Sequence, residues 1–263
     1  VKPGHVRAAL TLPLFCVAAC FLIVLYLPAR RLRWRLAGRL QMVFHRLLLW
    51  VLGIRLTVKG RPAADRPLMI AANHASWIDI PAYSAVMPLA FVAKREVGTW
   101  PLIGFFARLQ RSVFIDRTRR GAVADAADGI GRRLADGDVI MLFAEGTTSD
   151  GNQVLPFRSS LFGAARAALD EAGIDAVFVQ PAAIAYTHML GLPLGRSGRS
   201  ILSWVGHQDL APHAREVLAA SDFDVSIVFG EPIRFDRAAD RKQVALDAEA
   251  AVRRLLAAEL RGG

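Results

Sequence analysis

The sequence predicts an α/β domain with a largely parallel central sheet flanked by helices, behind an N-terminal membrane-embedded helical segment. Three observations carry this expectation. First, beyond Lys59-Gly60 short apolar runs alternate with stretches of helical character; strands interleaved with helices need crossover connections, which make sheets mainly parallel. Second, Ala8 to Ala29 is a run of 22 residues without a charge, and a helix of about 20 apolar residues crosses a hydrocarbon core. Third, the net charge of +10 is unevenly spread. Residues 1–60 hold ten Lys/Arg and no acid, whereas the other 203 residues hold 23 basic and 23 acidic side chains.

In chain order, the apolar run comes first, with Pro13 near its start, where a helix tolerates proline best. Arg30-Arg31-Leu32-Arg33-Trp34-Arg35 follows, then Arg39 and Arg46. Such clusters stay on the cytoplasmic side and are drawn to anionic lipid headgroups. The expected location is therefore the inner (cytoplasmic) membrane, with the remainder facing the cytoplasm. Leu32, Leu36, Leu40, Val43, Leu47 and Val51 recur at helical spacing and predict a second, amphipathic helix. A cleaved signal peptide would have a shorter apolar region and a small-residue cleavage site; Ala29-Arg30-Arg31 offers none. Whether the run spans or re-enters is open at this level. Cys16 and Cys20 read as small apolar fillers.

Residues 1–55 thus form a membrane anchor and 56–263 one α/β domain. Expected strands are Leu56–Val58, Leu68–Ala72, Ala90–Ala93, Val113–Asp116, Val139–Ala144, Val177–Val179 with Ala182–Tyr186, and Val225–Phe229. Expected helices are Ile80–Val86, Leu102–Leu109, Ala122–Ala135, Ser160–Ala172 and Arg241–Leu260. At 54% hydrophobic the chain is too apolar for intrinsic disorder. The neutral domain argues against nucleic acid as a partner, because basic residues would then spread over the folded surface. Two cysteines make no thiolate cluster, and His5, His45, His188, His207 and His213 lack metal-ligand spacing, so neither metal nor cofactor is expected.

Candidate chemistry begins where Leu68–Ala72 runs into Asn73-His74-Ala75-Ser76-Trp77-Ile78-Asp79. Six His and sixteen Asp give roughly 0.4 such His–Asp spacings by chance, so spacing alone decides nothing. Five residues of continuous helix would hold the two side chains about 140° apart. They meet only if His74 lies in the turn and Asp79 in the first helical turn. The carboxylate would then take the hydrogen of one imidazole nitrogen and leave the other free to accept a hydroxyl proton. The same residues also fit a plain helix cap followed by a first-turn acid. Other apolar runs stop at polar or glycine-bearing residues: Phe114-Ile115-Asp116-Arg117, Phe143-Ala144-Glu145-Gly146-Thr147-Thr148, and Gln180-Pro181-Ala182, which is expected to interrupt a strand.

With these motifs in this order, the chain from about residue 56 to 235 resembles the glycerolipid acyltransferase family typified by bacterial 1-acyl-glycerol-3-phosphate acyltransferase. That family carries N-H-x₄-D, F-I-D-R, F-P-E-G-T-R-S and V-P motifs. The resemblance implies acyl transfer from an acyl thioester, on acyl carrier protein or coenzyme A, to the hydroxyl of a lysolipid. It makes His74 the general base and Asp79 its orienting partner, with no covalent acyl-enzyme; no G-x-S-x-G elbow is present. By the same resemblance Glu145, Gly146, Thr147, Thr148, Arg117, Lys94 and Arg158 are the candidates for holding the acceptor. Here the third motif has Ala144 for proline and Thr148 for arginine, and a hydroxyl cannot replace a bidentate guanidinium on phosphate. The stretch E-G-T-T-S-D-G-N-x-V-L-P-F-R-S-S-L-F also resembles the bacterial branch that acylates lyso-ornithine lipid. Lysophosphatidic acid and lyso-ornithine lipid both remain as acceptors. A thioesterase or lipid hydrolase, with water as acceptor, and a non-catalytic lipid-binding protein are the other readings; the second should have lost His74, Asp79 or Glu145.

Overall fold

A computed structural model of the chain describes residues 3–115, 122–172, 174–206 and 208–262. Two helices open it, α1 (Pro3–Arg31) and α2 (Leu36–Leu52), joined by a four-residue turn that sets them antiparallel. Phe15 on α1 meets Phe44 on α2 with ring centroids 5.4 Å apart. Among the described residues α1 is the one helix long and apolar enough to cross a membrane by length and composition. α2 ends at Gly53, whose positive φ of 75° lets its N–H turn back onto the Leu49 and Trp50 carbonyls.

The strands are β1 (Ile54–Lys59), β2 (Leu68–Ala72), β3 (Ala90–Lys94), β4 (Val113–Ile115), β5 (Ile140–Phe143), β6 (Ala176–Met189), β7 (Leu192–Pro193), β8 (Phe223–Phe229) and β9 (Ile233–Asp236). The helices after α2 are α3 (Asp79–Val86), α4 (Ile103–Leu109), α5 (Ala122–Ala135), α6 (Gly163–Ala172), α7 (Leu210–Ala220) and α8 (Arg241–Arg261). The sheet runs β1-β8-β6-β2-β5-β3-β4, with β7 and β9 also on β6. From β6 to β4 all neighbours are parallel; β8 runs against β6 and parallel to β1. Helices cover both faces. Leu68, Ile70 and Ala72 of β2 enter a core shared with α2, α3 and α7, while Met69 and Ala71 enter one shared with α5, α6 and α8. Every β2 side chain is buried, which is why this strand reads as continuous apolar sequence rather than alternation.

Three features differ from the sequence expectation. Gln180-Pro181-Ala182 does not interrupt a strand: β6 runs through it unbroken for 14 residues. The Pro181 carbonyl accepts from the Gly230 N–H at 2.8 Å, so its nitrogen faces the hand-over between β9, which pairs up to Val179, and β8, which pairs from Ala182. No ladder bond is lost there, and proline is tolerated. Gln180 instead fastens the crossing, accepting from Ala63 N and donating to the Arg61 and Gly230 carbonyls. The other differences are α7 and the pair β7 and β9, which the apolar pattern does not announce. Of the expected strand end Val113–Asp116, β4 stops at Ile115 and Asp116 lies outside the described residues.

Candidate active site

β2 and β5 are adjacent and parallel, with Ala72 level with Phe143. Two residues beyond each stand His74 and Glu145, so register alone brings an imidazole and a carboxyl to the same sheet end. This is the carboxyl edge, where parallel sheets build their sites. β2 ends because Asn73 turns its side chain onto β6: its Nδ2 donates to the Ile184 carbonyl at 3.0 Å and its Oδ1 accepts from the Ile184 N–H at 2.9 Å. Asn73 is thus a buried splice between strands and not a helix cap.

His74 lies in the turn and Asp79 is the first residue of α3. His74 Nδ1 stands 2.6 Å from Asp79 Oδ2, which also accepts the backbone N–H of Ala75 at 2.8 Å and of Ser76 at 3.0 Å. The Tyr186 hydroxyl donates to Asp79 Oδ1. A fully buried carboxylate is costly unless its oxygens are satisfied, and four donors satisfy this one. With Oδ2 receiving Nδ1–H, the imidazole keeps Nε2 as a base. Its plane is fixed by Phe143, stacked at 3.9 Å between centroids and 9° between planes.

Glu145 is 2% exposed. Its Oε1 accepts the His74 N–H at 3.2 Å, while its Oε2 is buried without a hydrogen-bond partner among the described residues. Burial pushes its pKa up to about 8; the His74 and Leu155 N–H groups offset this only in part, the latter from outside hydrogen-bond geometry. Gly146 has φ +72°, and a Cβ there would lie 2.9 Å from the Cδ and Nε of Arg158. Glycine is required on both counts: the backbone is left-handed, and a guanidinium lies over it. Thr147 is exposed and Thr148 half-buried beside them. The next stretch folds back on the histidine, since Ser149 N–H donates to the His74 carbonyl at 2.7 Å.

The structure thus brings together His74, Asp79, Glu145, Gly146 and Arg158, with Thr147 and Thr148 on the same turn. Lys94 closes β3 opposite Ile115; Arg117 lies outside the described residues. Tyr186 and Phe143 are neighbours of the His74–Asp79 pair that sequence reasoning passed over. Tyr186 carries the one usable signal, a tyrosine in the apolar run Ala182–Tyr186, because a buried tyrosine hydroxyl needs a partner. Phe143 carries none beyond closing its strand. Among the described residues no three His, Cys, Asp or Glu side chains gather as metal ligands would.

Comparison with known proteins identifies the family and the fold. A family model described as Acyltransferase matches residues 55–185. The chain is 47% identical over 224 residues to a lyso-ornithine lipid O-acyltransferase of Brucella abortus, covering 85% of this chain and 84% of that one. The chain belongs to the acyltransferase family. This acyltransferase is also 42% identical over 241 residues to the lyso-ornithine lipid O-acyltransferase of Rhizobium meliloti, over 92% of this chain and 81% of the relative. A 1-acyl-sn-glycerol-3-phosphate acyltransferase of Neisseria gonorrhoeae is 40% identical over 108 residues, 40% of this chain and 42% of its own. In fold, the acyltransferase matches the crystal structure of the 1-acyl-sn-glycerophosphate acyltransferase PlsC from Thermotoga maritima, with a TM-score of 0.67, 23% identity and 96% of each chain covered.

Proposed function

We propose that this chain is a membrane-bound lyso-ornithine lipid O-acyltransferase using acyl carrier protein or coenzyme A thioesters. The observation that carries the chemistry is the His74–Asp79 contact at 2.6 Å beside buried Glu145. His74 Nε2 takes the proton of the lysolipid hydroxyl as its oxygen bonds to the thioester carbonyl carbon. Asp79 holds the imidazolium by Nδ1–H. Collapse of the tetrahedral adduct breaks the C–S bond, and the departing sulfur receives the proton from Nε2.

For the acceptor, a lyso-ornithine headgroup offers a carboxylate and an ammonium. Arg158 over Gly146 presents an exposed cation suited to the headgroup carboxylate. Thr148 in place of a motif arginine suits a site not built for a phosphate monoester. The long alignments to the Brucella and Rhizobium proteins favour the same acceptor over lysophosphatidic acid. Lys94, Arg117 and Thr147 are proposed to complete the headgroup site. Residues 1–55 would attach the enzyme to anionic lipids of the inner membrane, with 56–263 in the cytoplasm.

The test is acyl transfer on membranes carrying the protein, with lyso-ornithine lipid and lysophosphatidic acid offered separately. Product from lyso-ornithine lipid alone supports the proposal; product from lysophosphatidic acid alone replaces the acceptor; thioester hydrolysis without either product makes the enzyme a hydrolase. His74→Ala should abolish transfer and leave membrane attachment unchanged; normal turnover by that variant refutes the mechanism.

A further inference from the structure

Besides Leu190 and Leu192 around the start of β7, large exposed apolar side chains gather in two main places. One is α1, with Leu10, Leu14, Val17, Phe21 and Val24. The other lies about eighty residues later, at the start of α4: Leu102 is 71%, Ile103 40% and Phe105 41% exposed, and Pro101 beside them is exposed too. None of the three belongs to either core. Leu102 has φ +60°, a left-handed conformation that leucine avoids, and it presents the most exposed of these side chains to the outside. A soluble surface rarely keeps such a patch without an occupant.

The patch continues the surface of the helical pair. α4 rides on the end of α1: the Tyr26 hydroxyl donates to the Leu109 carbonyl at 2.7 Å and Arg30 Nη1 donates to it at 3.0 Å. Phe106 stacks on Phe44 of α2 at 4.9 Å. The neighbouring α1–α2 turn exposes Leu32, Trp34 and Leu36 among Arg31, Arg33 and Arg35. From Arg95 to Arg111 there are three arginines and one acid, Glu96, with Arg111 paired to Asp138 at 3.0 Å. Apolar side chains rimmed by cations are the signature of an anionic lipid surface. The inner end of the segment reaches the catalytic turn. Trp100 meets Trp204 edge-on at 6.2 Å, and the Trp204 N–H donates to the Ala75 carbonyl at 2.8 Å, one residue from His74.

We infer that Trp100–Phe106 is a second lipid-facing element, which inserts Leu102, Ile103 and Phe105 into the leaflet that holds α1 and so brings the catalytic turn to the bilayer surface. The inference rests on the membrane-attached reading above. An acidic acyl carrier protein would also meet arginines and apolar side chains here. Continuity with α1 and with the basic turn favours the leaflet.

The test uses the full chain with exposed Cys16 and Cys20 replaced by alanine and one environment-sensitive fluorophore placed at Leu102→Cys, at Val17→Cys on α1, or at Arg254→Cys on exposed α8. Vesicles of phosphatidylglycerol and phosphatidylethanolamine carry lipids brominated along the acyl chain. Quenching at 17 and 102 but not at 254 is expected. Quenching at 17 alone overturns the inference and leaves the α1 anchor standing; quenching at neither removes the anchor and the inference together. Protection at 102 only when acyl carrier protein is added assigns the patch to that protein and also overturns it. In parallel, Leu102→Glu with Phe105→Glu should lower transfer to vesicle-borne lysolipid about tenfold or more, since two apolar contacts with lipid are lost, and spare transfer to a short-chain monomeric lysolipid. Equal losses on both substrates would mean that the segment acts within the fold, against the inference.

Discussion

Asp79 is the residue on which the site turns, because its two oxygens divide their work. Oδ2 orients His74, while Oδ1 is held by Tyr186 from β6. Tyr186→Phe keeps the ring and removes only the donor. A hydrogen bond to a charged group is worth about 1.5–3 kcal/mol, so kcat should fall roughly 10- to 100-fold if that energy is expressed in holding the dyad. KM for the lysolipid should hardly change, and a fall in KM-controlled binding instead would argue against an orienting role. Glu145 makes a different prediction. Its pKa of about 8 lies above the ordinary 4.5, so the folded chain binds a proton that the unfolded chain releases. Stability is then greatest below about pH 4.5 as far as this group is concerned, and declines as pH rises from there through about 8. Glu145→Gln removes the titration. Thermal melts of the variant and the parent should diverge with rising pH across that window, the variant gaining by a few kcal/mol, on the order of the shift at 1.36 kcal/mol per pH unit. Parallel melting curves would mean that Glu145 is ionised at ordinary cost.

Between elements, the His74–Asp79 turn is held from behind by α7. Trp77, midway between His74 and Asp79, donates its indole N–H to His213 Nδ1 at 2.9 Å, and His213 Nε2 lies 3.1 Å from the Ile201 carbonyl. One nitrogen accepts and the other donates, so His213 serves as a neutral ring, and burial lowers its pKa accordingly. His213→Gln offers the same acceptor and donor, whereas His213→Leu offers neither. Loss of a neutral hydrogen bond costs about 0.5–1.5 kcal/mol; the leucine variant should lose roughly two- to tenfold in kcat and the glutamine variant much less. Trp77→Phe combined with His213→Leu should lose no more than either alone; additive losses would show two independent roles. None of this was legible in the sequence. His213 stands in a stretch whose helix was not expected, and a histidine's partner on another element leaves no mark in local spacing. The His74–Asp79 turn was legible, because an apolar strand, a turn and a helix start lie within twelve residues. Glu145 was legible as a strand end, but its meeting with His74 depends on β2 and β5 being neighbours, which only the sheet order decides. Pro181 misled for the opposite reason: local chemistry predicts a break, and the exchange of β9 for β8 as partner removes the cost.

At the scale of the whole molecule, the N-terminal pair has two jobs that are separable by length. α1 leaves most of its apolar surface exposed; it packs on α2 through contacts such as Phe15 on Phe44 and reaches the end of α7 through contacts such as Arg7 Nη1 on Ser221 Oγ at 3.0 Å. α2 is different. Leu49 and Leu52 are each 3% exposed and enter the same core as β2 and α3, and Arg46 donates to the Ala85 carbonyl at 2.9 Å. β1 begins at Ile54, which pairs with Phe223, and Arg55 bridges to Asp224 at 2.6 Å. Removing residues 1–31 therefore takes away mostly exposed apolar surface, while removing residues 1–55 also empties three core positions, Leu49, Leu52 and Ile54, and the first two rungs of an edge strand. Each lost core leucine costs about 2–5 kcal/mol, against a total stability of about 5–15 kcal/mol for a domain. The shorter truncation should melt cooperatively in mild detergent, which covers Phe44 and Leu40, and after detergent removal should bind vesicles more weakly than the full chain. The longer one should show no cooperative transition by circular dichroism and should aggregate. A cooperative melt from residues 56–263 would place the weight of this core on β2, α3 and α7 alone and make α2 a membrane element only.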